Sequence, residues 1–202
     1  NKESINLKLL DIKTKNMLSL KNSLAVLRKT DALLEGHFVL SSGLHSPQYV
    51  QCAKLLSKPT QAKKFISSLA TKIKRNIKSF DIILSPAMGG VIIGYEIGRL
   101  LKKETIFCER VDKKFKLRRG FNIKKKTKVL IVEDVITTGK SSLECARLIK
   151  KFGGKFVGIA CLIDRSKKLK MSKKIISQVK LDIPVYKKNK LPTPLKLSLI
   201  HI

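Results

Sequence analysis

Four short apolar runs constrain the fold more than any other feature of this chain: "FDIILS" (80–85), "TIFCER" (105–110), "KVLIVE" (128–133) and "KFVGIACLID" (155–164). Each is nearly continuous rather than alternating, which is the pattern of a strand buried on both faces. Helical spacing fills the gaps. Residues 91–101, "VIIGYEIGRLL", read as a helix, and so does the stretch from the Thr-Thr-Gly turn through about Lys151. Upstream, Phe65, Leu69 and Ile73 make one apolar stripe of a helix over 60–76,. Strands alternating with helices predict an α/β fold with a parallel sheet covered on both sides. Residues 18–34 carry Leu20, Leu24, Leu27 and Leu33-Leu34 near helical spacing, and 35–51 read as strand, Ser/Gly turn, strand. "IPVY" (183–186) is expected to form a last short strand, and the Lys-rich stretch 166–174 a solvated surface segment. Residues 111–127, "VDKKFKLRRGFNIKKKT", break the pattern and predict a long mobile loop or a loose hairpin,.

The length, 202 residues, fits one domain with at most a small appendage, and 43% hydrophobic residues suffice for a core,. No apolar stretch approaches the roughly 20 residues that span a bilayer. No secretory leader is evident in "NKESINLKLLDIKTKNMLSL",. Cys52, Cys108, Cys145 and Cys161 are widely spaced without a CxxC, so buried free thiols in a reducing cytoplasm are expected,. The net charge of +30 comes from 36 lysines and eight arginines. Such a charge suits nucleic acid, but the lysines are spread along the chain and aromatics reach only 5%, too few for base-stacking platforms,. Compositional bias is the adopted reading. Attraction of anionic substrates follows either way. Residues 1–16 and the terminal "LSLIHI" (197–202) are expected to be foreign to the domain, which leaves 17–196.

The chemistry concentrates in "VLIVEDVITTGKSS" (129–142). Its Gly139-Lys140-Ser141 ending looks like the tail of a nucleotide-binding P-loop. A P-loop, however, needs glycine five residues before Gly139, and that position is Asp134,. A carboxylate there repels a triphosphate. The other reading uses every part. The strand ends at the carboxyl edge of the sheet, where open α/β folds bind ligands. Thr137, Thr138, Gly139, Lys140 and Ser141 turn into a helix N-terminus and can cradle one phosphate monoester. Glu133 and Asp134, just before the cradle, suit the vicinal hydroxyls of a ribose. A sugar 5-phosphate held at both ends is the predicted ligand.

That motif closely resembles the phosphoribosyl-pyrophosphate (PRPP) binding motif of type I phosphoribosyltransferases. "LLEGHFVLSSGLHSPQYVQ", "SPAMGGVIIGYEIGR", "ERVDKKFKLRRGF" and "IDR" are similar, in order, to segments of the orotate phosphoribosyltransferases. The resemblance runs from about Leu18 to Pro194. Lys140 stands where many relatives have glycine. The resemblance implies a type I phosphoribosyltransferase fold, with a mostly parallel central sheet and a small N-terminal hood from about 17–55. It implies PRPP and orotate as substrates, Mg2+ held through substrate oxygens and water rather than by protein side chains, and a homodimer.

Residue by residue, it assigns Glu133 and Asp134 to the ribose hydroxyls. The turn Val135 to Ser141, with Ile136, Thr137, Thr138, Gly139 and Lys140, is assigned to PRPP, and Ala87, Met88 and Gly89 to its pyrophosphate. Arg165 would pair with the orotate carboxylate, which suits a planar guanidinium. Thr137, Tyr49 and Val50 would complete the orotate site. Ser41 replaces a ligand-contacting lysine of some relatives. Arg110 would contact PRPP, and Lys114, helped by Lys116 or Lys113, would neutralise the departing pyrophosphate from a loop (111–127) reaching the neighbouring subunit. His37 is expected to be structural; His45 is a weaker ligand candidate. Two competing functions remain: a purine phosphoribosyltransferase, against which Arg165 argues because purines carry no carboxylate, and a PRPP-sensing regulator that binds nucleic acid.

Overall fold

The computed structural model describes residues 17–40, 42–167 and 175–196; Ser41, most of the Lys-rich stretch and both expected foreign ends lie outside these. Six strands form the main sheet in the order β5-β4-β3-β6-β7-β8: Lys114–Leu117, Glu104–Val111, Ile82–Pro86, Lys128–Ile136, Lys155–Asp164 and Ile175–Lys180. All pairings are parallel except that of β4 with β5. Strand β6 explains why the apolar runs are continuous. Its alternate residues enter two separate cores: Leu130 and Val132 pack with Phe65, Leu69 and Ile97, whereas Val129 and Ile131 pack with Cys145, Ile149 and Ile159,.

Helices α3 (Pro59–Asn76) and α4 (Gly89–Leu101) supply the first core and α5 (Lys140–Lys151) the second. The predicted α3 stripe of Phe65, Leu69 and Ile73 is fully buried, and Pro59, whose missing N–H costs nothing there, opens the helix,. Helix α1 (Leu20–Lys29) starts at Ser19, whose hydroxyl accepts from the Asn22 amide,. It stops short of the expected 34. The Thr30 hydroxyl donates back to the Val26 carbonyl and Asp31 turns at φ 58°, so Leu33-Leu34 begin β1 (Leu33–Val39) instead. Strand β1 pairs with β2 (His45–Val50) in a separate two-stranded sheet, and a short helix α2 (Cys52–Leu56) leads into α3.

Two further expectations change. The final strand is 175–180, not 183–186: in the latter only Tyr186 bridges, to His45 of β2. Strand β6 runs through the acid pair to Ile136. Of the two readings of the basic segment, loop or hairpin, the hairpin is present in its first part. Asp112 and Lys113, both at positive φ (52° and 64°), make a two-residue hairpin turn joining β4 to β5,. Beyond it, Ile123 is buried in the second core. Among the described residues no helix is long and apolar enough to cross a membrane.

Helix α4 lies close to the sheet because glycine faces it. A Cβ on Gly98 would stand 2.9 Å from the Lys103 carbonyl oxygen and would clash with the Thr105 hydroxyl. The carbonyl belongs to the backbone and cannot rotate away, so overpacking outweighs the gain of about 1 kcal/mol in helix propensity. Gly98→Ala is expected to lower the unfolding free energy by about 1–2 kcal/mol, measured by urea denaturation.

Candidate active site

The strand order places a topological switch point between β3 and β6: the chain passes from β3 outward to β4, and from β6 outward to β7. Loops at the carboxyl ends of two such strands diverge and leave a crevice. The loop after β3 is "AMGG". The Ala87 amide donates to the Cys108 carbonyl at 2.8 Å, the Ala87–Met88 peptide is cis, and Met88 is exposed. Gly89 faces Asp134. A Cβ there would lie 2.6 Å from Asp134 Oδ2, so only glycine lets the two loops meet without displacing the carboxylate,. The loop 87–89 thus meets the end of β6 through Gly89 and Asp134.

Glu133 goes elsewhere. Successive strand residues point to opposite faces, and Glu133 turns under α5, where it is buried and accepts a short hydrogen bond from the Ser142 hydroxyl. The expected side-by-side pair of acids is corrected to a pair straddling the strand, with Asp134 at the crevice. Burial pushes the Glu133 carboxyl up to about 7, against the pull of the Ser142 hydroxyl and with a further push from the Asp134 charge. Burial also raises Asp134, opposed by backbone N–H donation from Val135 and from Asp134 itself. Ser142, directly after the motif's Ser141, was not among the expected site residues; a hydroxyl nine positions from Glu133 has no sequence signature.

After Ile136 the chain bends at Thr137 and Thr138, both exposed, and Gly139 turns left-handed at φ 69°. Helix α5 begins at Lys140, so the first-turn amides have no carbonyl acceptor within the helix,. The Lys140 amide instead meets the Thr138 hydroxyl at 3.4 Å, and the Lys140 side chain is exposed. The departure from glycine at 140 therefore leaves the turn's backbone intact. Val135 and Ile136 belong to the strand, and Ile136 is buried in the second core rather than in the turn.

Beside the turn lies a cleft of about 840 Å³. It is lined by Thr137 and Thr138 of the turn, by Phe38, Val39 and Tyr49 of the hairpin, by Ile183 and Val185, and by Arg165 and Lys167. The half-exposed Arg165 keeps a buried Nε without a hydrogen-bond partner, and burial lowers its pKa. A desolvated guanidinium facing a cleft calls for an anion. Tyr49 lines this cleft with its ring 5.7 Å from Phe38, but Val50 packs against the first core. His37 and His45 are both buried and face one another, Nε2 to Nδ1 at 2.6 Å; neither lines the cleft.

The basic hairpin stands apart from this cleft. Arg110 pairs with Glu144 of α5 at 2.8 Å, donates to the Lys113 carbonyl at 2.7 Å and stacks 4.2 Å over Phe115. Lys116 pairs with Asp112 at 3.1 Å, and Lys114 is exposed opposite Val111. Lys114 and Lys116 line no part of the cleft. Arg110, by contrast, is tied to the helix that begins at the turn expected to hold phosphate.

With that geometry in place, the comparisons agree. A phosphoribosyl transferase domain matches residues 53–195. An orotate phosphoribosyltransferase of Parvibaculum lavamentivorans is 47% identical over 169 residues, covering 83% of this chain and 87% of its own. The chain belongs to the orotate phosphoribosyltransferase family. Among solved structures, the orotate phosphoribosyltransferase of Aeropyrum pernix superposes with a TM-score of 0.69 at 24% identity, over 78% of this chain and 92% of that one. The adenine phosphoribosyltransferase of Thermoanaerobacter pseudethanolicus gives 0.58 at 21% identity, over 66% and 88%. The family's fold thus serves more than one base, and the base must be chosen by the cleft.

The environment of Glu133 gives a signed pH effect. Its folded pKa lies above the ordinary 4.5, so the native state keeps a proton that the unfolded chain has released. The associated stability is complete below about 4.5 and lost as pH rises through about 7,. Glu133→Gln keeps an acceptor for Ser142 and abolishes the titration. Its stability relative to the parent is expected to rise by about 1–3 kcal/mol between pH 4.5 and 8, read from urea unfolding at both values.

Proposed function

We infer that this chain transfers the ribose 5-phosphate group of PRPP to orotate, giving orotidine 5'-monophosphate and pyrophosphate. The observation that carries the reading is the shared cleft: the phosphate-turn residues Thr137 and Thr138 face the same space as the unpartnered Arg165 guanidinium. Phosphate and base sites must be neighbours if one ribose is to bridge them. A purine offers Arg165 no carboxylate, and a cation-lined cleft is not needed by a PRPP sensor.

In the reaction the bond from C1 of the ribose to the pyrophosphate oxygen breaks and its electron pair leaves with pyrophosphate. A ring nitrogen of orotate supplies the electron pair for the new bond to C1, and its N–H proton is released to solvent. The sugar is cationic between the two events, so catalysis is positioning and charge stabilisation. The turn 137–141 holds the 5-phosphate with its amides and the helix dipole. Asp134 faces the sugar from the crevice, and the close approach at Gly89 keeps the pyrophosphate loop beside it. Arg165 orients orotate by its carboxylate.

Mg2+ is proposed as the cofactor. Among the described residues no group of three His, Cys, Asp or Glu side chains is placed to hold a metal. The single crevice carboxylate, Asp134, fits an ion carried largely by substrate oxygens and water. When bound, Mg2+ offsets the charge of the leaving pyrophosphate. A homodimer is also proposed. Met88, Ile92 and Tyr95 expose 84%, 58% and 66% of their surface along one side of α4, an apolar strip that suits burial against a second copy,. In such a dimer the exposed hairpin lysines, Lys114 first, would reach the neighbouring crevice. A cytoplasmic setting is proposed from four buried free thiols,.

The test is loss of orotate absorbance with PRPP and Mg2+, with adenine, guanine and uracil as comparison bases; turnover of a purine instead would overturn the reading. Arg165→Gln is expected to lower kcat/KM for orotate by about 100-fold, because truncating one partner of a desolvated charge pair costs about 2–5 kcal/mol. Lys114→Ala is expected to lower kcat by at least about tenfold while orotate affinity stays near that of the parent, checked by steady-state kinetics and calorimetry.

A further inference from the structure

The orotate-facing cleft contains a second cation that no part of the motif accounts for. Of the residues lining it, Arg165 and Lys167 are cationic and none is a carboxylate. The residue between them turns inward. The Ser166 amide and hydroxyl both donate to Asp164 Oδ1, at 2.8 and 2.6 Å, and both residues are buried. The same turn is pinned on either side: the Arg165 amide donates to the Ile136 carbonyl, and the Leu181 amide to the Asp164 carbonyl, each at 2.8 Å. Because Ser166 is drawn into the sheet edge, its two neighbours both project to the cleft. The polar turn thus fixes the bases of two cationic side chains two residues apart.

Lys167 is not committed elsewhere. Its ammonium stands 4.0 Å from Asp182, with side chains 62% and 87% exposed. An ion pair that long and that wet is worth little, so exchange for a substrate anion costs little. Phe38, Ile183 and Val185 line the same cleft, so the site offers apolar surface for the ring beside cations for its carboxylate.

We propose that Lys167 is a second specificity-determining cation, which with Arg165 brackets the carboxylate of the pyrimidine substrate. The inference rests on the orotate reading above. The half-buried Arg165 supplies the planar fork, and the more exposed Lys167 a compact ammonium,. The carboxylate thereby gains a second charge-assisted contact that a neutral base cannot use.

Lys167→Gln tests it, with Lys167→Arg as the conservative variant and Lys63→Gln, an exposed lysine on α3, as a control for net charge. The expected result is a KM for orotate raised about tenfold in Lys167→Gln. Its kcat and its KM for PRPP stay within about twofold, and Lys167→Arg and Lys63→Gln resemble the parent. The defect should shrink as salt rises and screens the parent's own advantage. If the parent turns over orotate and Lys167→Gln keeps its KM, or Lys63→Gln shows the same rise, the Lys167 assignment falls alone. If the parent turns over no orotate, the functional reading falls and this inference with it.

Discussion

Everything at the crevice depends on how closely the β3–α4 loop approaches the end of β6. Gly89 leaves just enough room for the Asp134 carboxylate, and the approach is possible because α4 itself sits low on the sheet over Gly94 and Gly98. The loop expected to hold pyrophosphate and the acid expected at the ribose are thus positioned by one packing constraint, helix on sheet. The switch point supplies the space above them,. Without the parallel order β4-β3-β6-β7 the two loops would not share an edge.

The electrostatics divide along the same line. On opposite faces of β6, Glu133 and Asp134 are each largely buried and hold their protons more tightly than free carboxylates. Arg165 and Lys167 face the cleft, and Arg110 braces α5 through Glu144. A strongly anionic substrate entering this site would meet cations and helix-terminal amides first. The excess charge of the chain does not by itself make this arrangement; among the described residues most lysines are scattered over the surface, and Arg165 and Lys167 are the cations that line the cleft.

Much of this was legible in the residues. The continuous apolar runs announced a doubly covered parallel sheet because burial on both faces removes alternation, and β6 divides its side chains between two cores as that predicts. The phosphate turn was legible because Thr-Thr-Gly followed by a helix start is a local conformation. Strand β8 was missed: "IISQVK" is short, partly polar and follows a Lys-rich stretch, so its pairing with β7 is a long-range fact without local periodicity. In the basic segment a hairpin could be expected but not placed. Asp112 and Lys113 are unremarkable as a type I′ turn pair, and the pairing of β4 with β5 enforces their positive φ values.

By itself, the sequence determined the elements whose cause is local: the two-sided strands, the helical stripes, the turn at Thr137–Gly139 and the family to which that turn belongs. Only the tertiary structure decided where the side chains beside those elements go. Glu133 and Asp134 are adjacent in the chain yet separated by the pleat, one held by Ser142 and the other set against Gly89. Arg165 and Lys167 are two ordinary basic residues until Asp164 draws Ser166 inward between them. The physical reason is common to both: backbone conformation is selected by neighbours along the chain, whereas burial, close approach and partner choice are set by surfaces that meet only when the sheet has assembled.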